Sequence, residues 1–125
     1  MSEPLFHCTV PGVPVPQGRM RHAKNRAGYY AKRSEAHRTL LRDTFGWERN
    51  NWPTTCTPPI DRPISLLIEI AGMRANSDAS NHAKMIEDAL VDAGVLASDD
   101  VCVVRELVVR VVSGEPRTAV TVTAL

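Results

Sequence analysis

Residues 64–94 read "ISLLIEIAGMRANSDASNHAKMIEDALVDAG". The first ten form an apolar, β-branched run broken only by Ser65 and Glu69, the composition of a buried central strand. "RANSD" follows as a turn. After it, Ala79, Ala83, Ile86, Leu90 and Ala93 recur at steps of three and four, so they make one apolar stripe on a helix, and Gly94 supplies its C-terminal stop. A strand that hands over directly to an amphipathic helix is the nucleus of an α/β fold, and the remaining segments are arranged around it.

Upstream, "LFHCTV" alternates and predicts a strand over Leu5–Val10. "PGVPVPQG" then ends regular structure. The segment Gln17–Lys32, "QGRMRHAKNRAGYYAK", has neither helical nor strand period and reads as a loop, with Gly28, Tyr29 and Tyr30 as a hairpin tip or a stacking surface. Ser34 is a good N-cap, and the spacing predicts a helix with Ala36, Leu40, Leu41 and Phe45 on one face, Arg38 and Arg42 on the other, and an end near Gly46. "NNWPTTCTPPIDRP" is a proline-rich connection with too little chain on either side to mark a domain boundary. Downstream, "VCVVRELVVRVV" and "TAVTVTAL", separated by "SGEPR", read as an antiparallel hairpin. The expected fold is one small α/β domain over residues 1–125, with a mixed sheet and the order β-α-β-α-β-β. At 125 residues such a domain can bury roughly two thirds of its unfolded surface around a single core.

Several classes drop out. No window approaches the roughly 20 apolar residues of a membrane span, and "MSEPLFHCTV" lacks the basic start and apolar run of a signal peptide, so a cytoplasmic protein is expected. Cys8, Cys56 and Cys102 are odd in number and widely spaced, which argues against a disulfide framework and a zinc knuckle and for reduced, mostly buried thiols. His7, His22, His37 and His82 share no ligand spacing. Without a GxxxxGK[ST], GxGxxG or GxSxG motif, nothing supports a nucleotide cofactor or a hydrolase elbow.

The net charge of +1 hides a strong asymmetry. Between Gln17 and Arg42, eight basic residues (Arg19, Arg21, Lys24, Arg26, Lys32, Arg33, Arg38 and Arg42) stand against Glu35 alone. Such a block is the footprint of a polyanion partner, because each phosphate neutralised releases condensed counterions; Arg19, Arg21, Lys24, Arg26, Lys32 and Arg33 are the expected DNA contacts. The bland alternative is a solvated arm. Between Asp78 and Asp100, by contrast, Asp78, Glu87, Asp88, Asp92, Asp99 and Asp100 face only Lys84.

On the helix, Ser80, Lys84 and Asp88 are four apart and share a row, with Asp78 at its N-terminus and Asp99 and Asp100 in the loop before the next strand. If the strands around residues 64–73 and 101–112 pair antiparallel, Asp78 and Asp100 converge. Close carboxylates repel, and a hard divalent cation relieves the repulsion; magnesium takes one or two carboxylates and keeps waters. A metal facing a basic surface fits phosphodiester hydrolysis, with Lys84 binding a phosphate or polarising the water. Against this, the acids can be plain helix-dipole and solubility residues, with Lys84 and Asp88 a surface pair.

The stretch "SDASNHAKMIEDALVDAGVLASDDVCVV" resembles the signature of the RusA family of Holliday junction resolvases: an aspartate, a short gap, Asn81, Lys84, then Asp88, Ala89 and Leu90, and finally Asp99 and Asp100. The basic "PVPQGRMRHAKNRAGYYA" is similar to that family's N-terminal region. The resemblance implies a homodimeric, magnesium-dependent endonuclease, with manganese as a substitute ion, commonly encoded by a phage or prophage. Such an enzyme works in the cytosol of a bacterium or infected host, binding four-way DNA junctions and nicking two strands symmetrically. By position it makes Asp78, Asp100 and Asp99 the metal ligands and Lys84 the motif lysine, with Asp88 beside them in the catalytic set. Ser80 departs from the pattern: an aspartate is expected there, and a hydroxyl brings no anionic charge. A branched-DNA-binding protein with little or no cleavage is therefore the alternative. The "VCVVRELVVRVV" strand, apolar on both faces, is either part of a subunit interface or a strand sandwiched in the core.

Overall fold

The structure, a computed structural model, describes residues 4–16, 32–51, 59–73 and 78–125. Its elements are β1 (Phe6–Pro11), α1 (Lys32–Asn51), β2 (Ile64–Ala71), α2 (Ala79–Asp92), β3 (Val104–Val112) and β4 (Arg117–Ala124). The order expected from the sequence holds. The four strands form one mixed sheet in the order β1-β4-β2-β3; β4 runs antiparallel to both β1 and β2, and β2 pairs parallel with β3.

Register explains the layers. Phe6, Cys8 and Val10 of β1 align with Val122, Val120 and Thr118 of β4, and Leu66, Ile68 and Ile70 of β2 align with the same three. These are the buried positions, so one face of the sheet carries the core. Both helices pack there, through Leu41 and Phe45 of α1 and Ala83, Met85, Ile86, Ala89 and Leu90 of α2. Phe6 and Phe45 meet edge to face, with ring centroids 6.4 Å apart. The opposite face is the half-exposed set, joined by cross-strand bonds such as His7 to Thr121 and Ser65 to Glu106.

Three local expectations need correcting. The segments 101–112 and 118–125 are not a hairpin, because β2 lies between β3 and β4. Turn chemistry in "SGEPR" marks a chain reversal but does not decide which strands become neighbours. Helix α1 begins before Ser34 and continues past Gly46 to Asn51; Ser34 is buried inside it and donates to the Pro16 carbonyl at 3.2 Å. A helical glycine costs only about 1 kcal/mol, less than the burial of Leu41 and Phe45 on the turns before it returns. The face of α1 is also turned: Ala36 and Leu40 are exposed, while Ser34, Leu41 and Phe45 are buried. Trp47 and Cys102 are exposed, and Cys8 is buried, with burial and the nearby Glu48 pushing its thiol up to about 11.

Helix α2 follows its predicted stripe. Asp78 is its N-cap, accepting from the Ser80 N–H at 2.8 Å. Gly94 takes a positive φ of 77° at the other end, where a Cβ would fall 2.6 Å from an Arg49 nitrogen. The Arg49 side chain could swing aside, so it is the left-handed backbone that calls for glycine there. Beyond it, Ile60 and Leu96 form a parallel bridge, tying the loop after α2 to the entry of β2.

Candidate active site

The parallel pairing of β2 with β3 decides where the acids go. Helix α2 starts beyond the C-terminal end of β2 and returns antiparallel to it, so the approach to β3 lies at the far end of the sheet. Ile64, the first residue of β2, aligns with Val104, the first of β3. The convergence of Asp78 with Asp100, which required antiparallel strands, is therefore not made within the chain. Asp78 and Asp88 are separated by roughly 15 Å along the helix axis at 1.5 Å per residue.

The structure instead builds a cluster on the C-terminal half of α2. Lys84 Nζ lies 3.4 Å from Asp88 Oδ1, one turn on, and 3.6 Å from Asp99 Oδ2 in the loop. Asp88 and Asp99 together hold the Lys84 ammonium above its ordinary pKa. Glu87 completes the group: burial first, then the negative charge of Asp99, pushes its carboxyl upward, while Lys84 opposes. Glu87 was missed in the sequence, although its place three residues after Lys84 on a helix puts both on one side.

The loop distinguishes the two late aspartates. Asp100 turns its carboxylate onto its own chain, where Oδ1 accepts from the Cys102 N–H at 2.9 Å; its carbonyl accepts from Val103 and Val104. It shapes the turn into β3, whereas Asp99 faces Lys84. Asp78 spends one oxygen on the helix cap.

Beside the cluster, a groove of about 260 Å³ runs between α2 and β3, lined by Ala79, Ser80, Ala83 and Lys84 on one wall and Leu107 and Val109 on the other. Ser80 thus shares a surface with Lys84, as the four-residue spacing predicted. Among the described residues no group of three or more His, Cys, Asp or Glu is arranged to hold a metal ion. Magnesium needs only one or two carboxylates, and Asp88 and Asp99, which share one ammonium and so keep a net negative charge, offer oxygen donors of the right hardness.

Of the expected DNA contacts, Arg19, Arg21, Lys24 and Arg26 lie outside the described residues, as do Gly28, Tyr29, Tyr30, His22, Trp52 and Cys56, together with the Lys32 side chain. Arg33 is exposed at the start of α1. Arg38 is drawn to α2, donating to Asp92 Oδ2 at 2.6 Å through Nη2 and 3.2 Å through Nε. His82 is a core residue, 2% exposed. Among the described residues no helix is long and apolar enough to cross a membrane.

A family model described as "Endodeoxyribonuclease RusA" matches residues 11–123 of the chain. No curated protein matches it significantly.

Proposed function

Because the chain belongs to the RusA endodeoxyribonuclease family, whose members are endonucleases acting on Holliday junctions, we propose that it resolves four-way DNA junctions by magnesium-dependent hydrolysis, as a homodimer that makes paired nicks. The observation that carries this reading is the Lys84–Asp88–Asp99 cluster, formed by residues of the motif that resembles the family signature.

Asp99 and Asp88 would hold the magnesium, with manganese as a substitute, and the ion would activate water and stabilise charge on the phosphate. The protein's own residues do the rest. With its pKa raised by two carboxylates, Lys84 stays protonated at neutral pH, so it serves as a fixed positive charge and not as a base. Its pairs with Asp88 and Asp99 are solvent-exposed and therefore weak. The ammonium can exchange them for a phosphate oxygen at little cost, leaving both carboxylates to the cation. Asp100 supports this by fixing the turn that presents Asp99. Asp78 stands too far along α2 to share an ion with Asp88 of its own chain, so its role at a metal requires a second copy.

DNA reaches the site through the basic segment, with Arg19, Arg21, Lys24, Arg26, Lys32 and Arg33 neutralising phosphates. Two symmetric cuts call for two sites related by a two-fold axis, which a dimer provides. Ser80 favours one competing reading: junction binding without cleavage, since the groove beside Lys84 carries a hydroxyl where an anionic ligand is expected.

The test is incubation with a synthetic four-way junction and a linear duplex of matching sequence, each with magnesium and with a chelator. Paired nicks on the junction, only with magnesium, are expected. Tight junction binding without product supports the binding-protein reading, with Ser80→Asp as the variant to restore cleavage. Equal treatment of junction and duplex rules out both.

A further inference from the structure

Helix stability does not account for where Lys84 points. It precedes Asp88 by four residues, and a pair in that order supports a helix less well than one with the acid first. Its second contact, Asp99 Oδ2 at 3.6 Å, comes from the loop beyond the helix. Among the described residues no other cation pairs with either carboxylate. The three side chains differ in exposure: Lys84 is 58% exposed, Asp99 36% and Asp88 23%. The acids are also the better anchored. Asp88 sits on a turn of α2 whose next two residues, Ala89 and Leu90, are fully buried. Asp99 belongs to a loop in which the Asp100 N–H donates to Ser98 Oγ at 3.1 Å and the Cys102 N–H to Asp100 Oδ1. Lys84 reaches both on a flexible four-carbon stem. The cation is therefore the part that can leave, and the carboxylates are the part that stays.

The charges decide when it leaves. Asp88 and Asp99 bring two negative charges and Lys84 one positive. A divalent cation that joins them with the ammonium still in place makes one positive charge in excess, and the two cations compete for the same oxygens. A phosphodiester brought to the ammonium without the divalent ion makes two negative charges in excess, because it also faces both acids. Only when both arrive does the sum reach zero, with the ammonium turned to the phosphate and the carboxylates to the metal.

We propose that Lys84 is a built-in competitor of the divalent cation, occupying the Asp88–Asp99 pair in the free protein and yielding it to an incoming phosphodiester, so that metal and DNA load the site together. Each then raises the affinity for the other by the same factor, as reciprocal coupling requires. The part played by the phosphodiester rests on the nuclease reading above, whereas the competition itself rests on the ion pairs.

Titrating manganese(II) into the intact protein without DNA, with the unbound ion counted by electron paramagnetic resonance, tests the competition. Lys84→Met is expected to bind manganese at least about fivefold more tightly than wild type, the low end of typical coupling between two ligands, even though the same change lowers nicking. Lys84→Gln, polar at the same exposed position, should repeat the gain. Lys84→Arg keeps a cation at the pair and should stay near the wild-type affinity. Lys84→Met/Asp99→Asn should lose the gain, which assigns the ion to this pair. Manganese binding that neither Lys84→Met nor Lys84→Gln tightens overturns the proposal, as does a gain that survives Asp99→Asn. Because no DNA is present, a gain seen in a protein that fails to nick junctions leaves the competitor standing and removes only the nuclease reading. A wild type that nicks junctions, with Lys84 variants that bind manganese no better, removes only the competitor.

Discussion

The two ends of α2 use their aspartates differently. At the N-terminal end, Asp78 is committed to the backbone: its carboxylate caps Ser80 and its carbonyl accepts from Asn81 and His82. At the C-terminal half, Asp88 and Asp99 are committed to another side chain, Lys84, and can give it up. An acid that holds the fold and an acid that can exchange partners have the same charge but opposite consequences when removed. That contrast, more than the count of acids, is what supports the proposed site at Lys84, Asp88 and Asp99.

The largest effects should come from the exchangeable end. Asp99→Asn and Lys84→Met are expected to lower junction nicking by about 100-fold or more, the scale of losing one charge-stabilising group, with the fold intact by circular dichroism. Asp100→Asn, whose amide oxygen can still accept from Cys102, should lose less than about tenfold. If Asp100→Asn were the more damaging, the roles of the two neighbours would be exchanged.

At the capped end the effect is on stability. Asp78→Ala should cost about 1 kcal/mol in urea unfolding, whereas Asp78→Asn should retain most of the cap. Equal losses for both would mean that the negative charge, and not the hydrogen bond, matters there.

The same end carries a pH dependence. Burial, then the neighbouring His37, holds His82 below its ordinary pKa, with Asp78 opposing; burial and Arg33 lower His37 as well. Both rings therefore take up protons at a lower pH in the folded protein than in the unfolded chain, which does so near pH 6.5. The unfolded state thus binds more protons as the pH falls, so stability is complete above that value and declines as pH drops through it. His82→Leu should flatten the decline in denaturation midpoints measured from pH 8 to pH 5; an unchanged slope would assign it to other groups. The smallest effect belongs to Arg38→Gln, which breaks an exposed pair with Asp92 and should cost about 0.2 to 1 kcal/mol.

Much of this was legible in the residues themselves. The run 64–73, the stripe Ala83, Ile86, Leu90, the stop at Gly94 and the Lys84–Asp88 spacing are local patterns, and local periodicity sets them. Strand partners are not local. Nothing in "VCVVRELVVRVV" says that β2, and not β4, lies beside it, so the hairpin and the antiparallel geometry that would have joined Asp78 to Asp100 failed together. Its apolarity on both faces fits a buried strand as readily as an edge awaiting a partner. Gly46 was overridden by Leu41 and Phe45, buried in the core. The choice between Asp99 and Asp100 depended on which carboxylate turns back onto its own loop, a matter of turn geometry that spacing alone does not encode.

The most direct measurement is one gel with wild type and Asp99→Asn on a four-way junction, beside wild type on the matching duplex, all with magnesium. The expected result is paired nicks on the junction by wild type alone, with Asp99→Asn still binding the junction and the duplex left whole. Nicking by Asp99→Asn at the wild-type rate would contradict the assigned site. Nicking of duplex and junction alike would contradict junction resolution itself.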